Sequence, residues 1–231
     1  MKNLNTEIYE EKWNESYSRA ENYLIYPNEE VIRFASRNLC KILPNEKSFY
    51  ENFNSTSKIL DYGCGAGRHM AFLDQLGFTP FGVDISETAL ELALTNLLPK
   101  YKNNLHKLNN YLLPFEDAFF DAFIACSVLD SMHFDLSKKV LLELNRVMKK
   151  GAVGHIDLIS NIDTNIDEGF VGDTLVQDQH EFGTIQSYFH EKLIKELIGD
   201  NFVIREICHV KHSYLKNKKN HARFYIEVIK E

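Results

Sequence analysis

A chain of 231 residues lies at the upper end of what one domain holds, and 44% apolar content is ample for a packed core. With 33 acidic against 26 basic residues the net charge is −7, which argues against nucleic acid as a partner, because affinity for phosphates needs a basic surface. No run approaches the ~20 apolar residues of a membrane span, and the opening Met1–Glu7 lacks an apolar signal core, so a soluble cytoplasmic protein is expected.

Residues 6–41 read as helical with a break at Tyr26-Pro27-Asn28, where Asn28 before Glu29 and Glu30 has the form of a helix start. Pro44 to Ser57 is polar and reads as a loop. From Lys58 the element types alternate. Lys58 to Tyr62 is a short apolar strand entering a glycine-rich turn, and a helix over about 67–76 stops at Gly77. Thr79 to Asp84 is a second strand, and Ser86 caps a helix running to about Leu98. Asn104 to Asn109 is a weaker third strand. Phe120 to Ser127 is a fourth, apolar throughout at Phe123-Ile124-Ala125-Cys126, as a strand covered on both faces should be. Leu136 to Lys150 is a helix with Leu141, Leu144, Val147 and Met148 on one stripe, ended by Gly151; Val153 to Ile159 is the fifth strand.

Strand and helix alternating five times predict a doubly wound α/β fold with a mostly parallel sheet. Residues 160–187 are polar, irregular and long for a connection, so they form a candidate lid or substrate loop. A helix at about 190–198 then leads to strands over 202–210 and 223–229, a terminal antiparallel hairpin. The basic cluster Lys216-Asn217-Lys218-Lys219 reads as a solvated turn within it. Cys40, Cys64, Cys126 and Cys208 are far apart and show neither a disulfide framework nor zinc-ligand spacing.

Asp61-Tyr62-Gly63-Cys64-Gly65-Ala66-Gly67 carries the most information. A strand running into alternate glycines turns tightly and lets its backbone approach a ligand, and the helix behind it offers free N–H groups. The spacing is G-x-G-x-G, with Arg68 at the place of the third glycine in the dinucleotide fingerprint, so nicotinamide binding fits poorly. Asp61 would repel a pyrophosphate but can accept from an ammonium group through water. Asp84, ending the second strand, can grip both hydroxyls of a ribose, and its neighbour Ile85 would lie against the adenine. An amino-acid tail, a ribose and no phosphate describe S-adenosylmethionine.

These residues resemble the class I S-adenosylmethionine-dependent methyltransferases, in particular the group acting on small molecules. Ile59 to Gly67 looks like that family's first motif and Phe81 to Ser86 like its second. Leu113 to Asp117 with Phe120-Asp121 is similar to the approach to its fourth strand, and Val147 to Gly151 to the turn before its fifth. The resemblance implies a Rossmann-like methyltransferase fold, a seven-stranded mostly parallel sheet with an antiparallel last strand. The whole chain, 1–231, would be one domain, with a helical cap over 1–45 and a cofactor-binding core over 58–159. It further implies that Asn109 and Asn110, standing where the family usually has Asp-Ala, meet the adenine. The methionine part would lie over Gly63, Cys64, Gly65 and Gly67 and above Cys126 and Ser127.

Methyl transfer from a sulfonium needs alignment, exclusion of water and, for a hydroxyl or protonated amine, a base. Asp130-Ser131-Met132-His133 follows the fourth strand, and His133 is the candidate base, imidazole being the side chain suited to proton transfer near neutral pH. His155 and Asp157 share one face of the fifth strand and read equally well as a structural pair. Trp13 and Tyr17, one helical turn apart, can face a sulfonium through their rings or simply pack on the domain; Tyr23 and Tyr26 are weaker versions. Asp178, His180 and Glu181 of the 160–187 segment are candidates for acceptor contact or ordinary loop residues, and Arg68 and His69 read as surface or supporting groups. No metal site is expected.

The leading expectation is a methyltransferase that consumes S-adenosylmethionine, releases S-adenosylhomocysteine and methylates a small molecule at oxygen or nitrogen. A catalytically silent binding protein of the same fold and a protein methyltransferase are the alternatives. Cys126-Ser127-Val128-Leu129 stands where amino-methylating nucleic-acid enzymes carry an N-P-P-Y-type tetrapeptide, a further argument against a nucleic-acid acceptor. The sequence carries no signal of oligomeric state.

Overall fold

Apolar side chains on successive residues of the core strands go to opposite faces of one sheet, and that alternation organises the molecule. Ile59 and Ile124 pack one way and Leu60 and Phe123 the other, all four with no exposed surface. The structure, a computed structural model, describes residues 4–44, 46–96, 99–163, 170–216 and 219–231. In chain order the elements are α1 (Leu4–Ser18), α2 (Glu29–Asn38), β1 (Cys40–Leu43), β2 (Glu46–Phe49), β3 (Lys58–Tyr62), α3 (Arg68–Gln75), β4 (Thr79–Asp84), α4 (Glu87–Asn96), β5 (Leu105–Lys107) and β6 (Phe120–Ala125). They continue with α5 (Phe134–Val147), β7 (Met148–Ile159), β8 (Gly172–Leu175), β9 (Ile185–Tyr188), α6 (Glu191–Ile198), β10 (Val203–Tyr214) and β11 (Lys219–Ile229).

Seven strands form the sheet in the order β10-β11-β7-β6-β3-β4-β5. β3 through β7 run parallel, and β11 returns antiparallel to β7, as the resemblance implied. α5 and α6 cover one face around Leu60, Phe123, Leu141 and Ile194. α2 and α3 cover the other around Phe34, Ile59, Leu73 and Ile124. The chain steps outward from β3 to β4 and β5, then returns to build β6 and β7 on the other side. That reversal opens a crevice beyond the carboxyl ends of β3 and β6, the ligand site of open α/β sheets.

Several expectations are corrected. The helical stretch expected over 6–41 does break before α2, but the break is wider than Tyr26–Asn28, covering residues 19–28, and the chain is already in a strand at Cys40. The polar stretch after Pro44 holds β2, which pairs with β1 from Cys40↔Phe49 to Leu43↔Glu46. Its three leading residues are exposed and look like loop in sequence; Phe49, packed edge-on to Phe78 at 5.2 Å, anchors the hairpin. Asn45 within that stretch lies outside the described residues, as do 97–98, where the α4 helix was expected to end. No helix joins β5 to β6 through 108–119, so the fivefold alternation fails there.

α5 ends at Val147, not Lys150. The Met148 N–H still reaches back to the Leu144 and Asn145 carbonyls, but Met148 already has extended backbone and begins β7. The 160–187 segment is not wholly irregular, because β8 and β9 pair antiparallel from Gly172↔Tyr188 to Leu175↔Ile185; its residues 164–169 are outside the described set. β10 and β11 form a longer hairpin than expected, pairing from Val203↔Ile229 to Tyr214↔Lys219, and residues 217–218 of the basic cluster are outside the described set. The helix starts at Asn28 and Ser86 are as expected: Asn28 Oδ1 accepts from Glu30 N at 2.9 Å and Ser86 Oγ from Ala89 N at 3.1 Å. Among the described residues no helix is long and apolar enough to cross a membrane.

Candidate active site

β3 leaves the sheet at Tyr62, and the next residues turn at once. Gly63 and Gly65 have φ of +72° and +52°, the left-handed region that costs a residue with a Cβ. A Cβ at Gly63 would overlap Val128, and one at Gly65 would overlap the Tyr17 hydroxyl. The bend therefore exists to let other groups come close. Its amides are turned back to the sheet: the Gly63 and Cys64 N–H groups donate to the Val83 carbonyl at 2.9 and 3.0 Å. Gly67, also left-handed, sits at the N-cap of α3.

Asp84 ends β4 beside this bend. Gly65 N donates to its Oδ2 and Ser86 N to its Oδ1, both at 2.9 Å. Each oxygen keeps a further acceptor position. Burial pushes the carboxyl up to about 6, and the Ser86 and Gly65 N–H bonds offset only part of that. The group is thus oriented and poorly solvated, ready for donors from a ligand.

A cavity of about 630 Å³ opens along these strand ends. Gly63, Asp84, Ile85, Asn109 and Asn110 of the expected set line it, together with Trp13 and Tyr17 from α1 and His133 at the start of α5. Trp13, Val128, Met132, Leu136 and Val140 make much of its wall apolar. Asp61, Cys64, Gly65, Gly67 and Cys126 do not line it. Asp61 is 1% exposed, and neither carboxylate oxygen has a hydrogen-bond partner among the described residues; His69 Nδ1 stands 3.5 Å from Oδ1 without the geometry of a bond. A buried acceptor left unpaired costs free energy, so an outside donor is wanted behind the bend. Cys126 is buried, its thiol pushed up by burial and by the neighbouring Asp157.

Of the two readings of His69 the structure has the supporting one: it is buried, and its Nε2 accepts from Asn28 N at 3.3 Å, which ties α2 to α3. Arg68 opens α3, where its charge acts on Tyr17 and Cys126. Asp157 does not pair with His155. It receives the Ser127 backbone N–H and, at 3.1 Å, Arg223 Nε, whose other arm reaches Asp130 at 2.6 Å. Both ring nitrogens of His155 are unpartnered among the described residues, and burial holds it down at about 4, in the neutral form. Ser127, on the cavity wall, has a φ of +57°, an uncommon conformation for a residue with a side chain. Tyr23, Tyr26, Asp178 and His180 are exposed, and Glu181 donates its backbone N–H to Glu21; none lines the cavity.

Sequence reasoning missed three groups. Tyr9 shares the face of Trp13 and Tyr17 at the same four-residue spacing, a signal that was there to be found, and its hydroxyl is 2.9 Å from His133 Nε2. Asp173, from β8, holds His133 Nδ1 at 2.8 Å. Asn14 fastens α1 over the cavity: its Oδ1 accepts from Ser86 Oγ at 2.7 Å and from Thr88 N at 3.3 Å. Neither of the last two has a local signature.

Residues 60–156 match a family model described as a methyltransferase domain. An uncharacterised protein of Haemophilus influenzae is 32% identical over 101 residues, which span 42% of this chain and 40% of that protein. The match thus covers less than half the length of that relative. Among solved structures, an S-adenosylmethionine-dependent methyltransferase from Methanosarcina mazei superposes with a TM-score of 0.63 at 23% identity, over 82% of this chain and 98% of the other. The 1,6-didemethyltoxoflavin-N1-methyltransferase of Burkholderia thailandensis, solved with 1,6-didemethyltoxoflavin and S-adenosylhomocysteine, superposes at 0.54 with 16% identity, over 76% of this chain and 72% of the other. At these identities the structures are alike in fold.

Proposed function

We propose that the chain is a class I S-adenosylmethionine-dependent methyltransferase that methylates a small molecule at oxygen or nitrogen inside the cavity beneath α1; the match of residues 60–156 to a methyltransferase domain supports this reading. The observation that carries this reading is Asp84: a buried carboxylate at a strand end that lines the cavity, with backbone N–H groups of Gly65 and Ser86 fixing one oxygen each. That is a receptor for a vicinal diol, as a ribose presents. The fit extends further. Asp61, buried behind the Gly63–Gly65 bend without a hydrogen-bond partner among the described residues, puts an acid beneath the bend, which favours an ammonium and disfavours a phosphate there. Asn109 and Asn110 on the wall offer amide groups to an adenine, with Ile85 as its apolar neighbour.

S-adenosylmethionine, when bound, supplies a methyl group on a sulfonium that is open to in-line displacement. The chain's own residues do the rest. Tyr9, Trp13 and Tyr17 bring one aromatic face of α1 over the cavity, which excludes water and favours a cation. Val128, Met132 and Leu136 give an acceptor an apolar wall. His133, at the cavity edge, takes up the proton that the acceptor sheds. A small molecule suits a cavity of this size better than a polymer does. Calorimetric titration with S-adenosylhomocysteine tests the reading. Saturable binding that Asp84→Ala abolishes or weakens at least tenfold is expected, and silence at high micromolar ligand refutes it.

A further inference from the structure

The group that makes His133 useful lies forty positions away in sequence, on the β8–β9 hairpin. Asp173 Oδ2 stands 2.8 Å from His133 Nδ1, and a carboxylate only accepts, so the imidazole carries its proton on Nδ1. In the neutral imidazole Nε2 is then the lone pair, and the Tyr9 hydroxyl at 2.9 Å is placed to donate to it. The polarity of the chain Tyr9–His133–Asp173 is set from the carboxylate end. Asp173 is itself held: the Phe134 N–H is 3.3 Å from both oxygens, and the Ser187 hydroxyl, whose one proton is shared with the Met132 carbonyl, is 2.7 Å from Oδ1. Ser187 is fully buried, so the hairpin presents Asp173 from a rigid base.

We propose that Asp173 is a positioning residue that locks His133 in the Nδ1–H form and so directs its free Nε2 at the Tyr9 hydroxyl on the cavity wall. This rests on the methyltransferase reading and adds a route for the proton. The acceptor's O–H or N–H gives its proton to the Tyr9 oxygen as its electron pair turns to the methyl carbon. The Tyr9 proton moves to Nε2, and the imidazolium that results lies against the Asp173 carboxylate. Charge and protons balance, and Nε2 need never touch the acceptor. The purely architectural alternative is that Asp173 serves only as an outside cap for α5, whose N-cap residue, His133, makes no capping bond with its own side chain.

Imidazole nitrogen NMR separates the two on the full chain with S-adenosylhomocysteine present, because each tautomer has its own pair of nitrogen shifts; His133→Asn identifies the signal. The wild-type signal should be the Nδ1–H tautomer. Asp173→Asn should convert it to the Nε2–H form or a mixture, because an amide N–H can donate to Nδ1. Tyr9→Phe should move the Nε2 resonance and leave the tautomer alone. Ser187→Ala, which keeps the Oδ2 contact, should leave the tautomer as in wild type. An Nε2–H form in the wild type, or an unchanged tautomer in an Asp173→Asn protein that still binds S-adenosylhomocysteine, overturns the proposal. If Asp173→Asn does not fold, the wild-type tautomer and the Tyr9→Phe shift decide it. Failure of the wild type to bind S-adenosylhomocysteine, by contrast, removes the cofactor reading and leaves the tautomer result intact.

Discussion

Asp84 turns a buried acid into a pH-dependent binding site. Its carboxyl is raised to about 6 by burial, and a diol that donates to both oxygens favours the ionised form. Binding therefore expels a proton wherever the free protein still holds one. The affinity for S-adenosylhomocysteine should climb by about tenfold from about pH 5 to about pH 7.5, measured by calorimetry in buffers of matched ionic strength, and Asp84→Asn should flatten the climb. An equal climb in the variant removes Asp84 from the site. The same group has the opposite effect on the unliganded fold: its folded value lies above the ordinary ~3.9, so its contribution to stability is present below about pH 4 and is lost as pH rises through about 6. Asp84 was legible in sequence because it ends the next strand after the glycine turn and its helix, in the order strand, glycine turn, helix, strand, acid. Asp173 was not, because only the folding of the β8–β9 hairpin brings it 2.8 Å from His133.

Among the elements, α1 stands apart because polar contacts do much to hold it. Asn14 bridges to Ser86 and Thr88 at the start of α4, and Glu10 meets Lys107 at 2.6 Å. Yet this helix carries Tyr9, Trp13 and Tyr17 over the cavity. Asn14→Ala removes the central clasp, about 1–2 kcal/mol of local stability, while leaving the sheet untouched. Hydrogen exchange across residues 9–17 should accelerate about tenfold with little change in the thermal midpoint, and S-adenosylhomocysteine should restore protection. Unchanged exchange in that helix means the clasp is not what holds it. Regular elements were legible where burial on both faces made a strand apolar almost throughout, as in β3 and β6. They were misread where it did not: β2 is charged and mostly exposed, and the apolar stripe of α5 runs on through Met148, which hides the change to a strand. The β8–β9 hairpin was hidden for a related reason, since β8 has no fully buried residue.

For the molecule as a whole, the sheet was legible because five strands announce themselves, but what fastens its returning strand was not. Arg223 lies on β11, and from there it reaches Asp157 on β7 at 3.1 Å and Asp130, beyond β6, at 2.6 Å. Burial pushes Asp130 up to about 6 even beside this guanidinium, whereas for Asp157 burial is outweighed by the same cation together with the Ser127 N–H and the neighbouring His155, which hold the carboxyl below its usual range. Asp130 also accepts from the Ile159 N–H at 2.9 Å, and Asp157 from Ser127, whose left-handed backbone shapes the cavity wall. Arg223 thus neutralises two buried acids and joins the hairpin to the site. Arg223→Met should cost about 3 kcal/mol, because it strands both charges while keeping most of the side-chain volume. The sign of its pH dependence is fixed. Without the cation both carboxyls rise above their unfolded values, so the folded state binds more protons, and the deficit grows as pH rises from about 5 to about 8. Urea unfolding at the two ends of that range measures it. Adding Asp157→Asn to Arg223→Met should recover part of the loss at the higher pH and little at the lower; a deficit independent of pH would mean that Arg223 contributes packing alone.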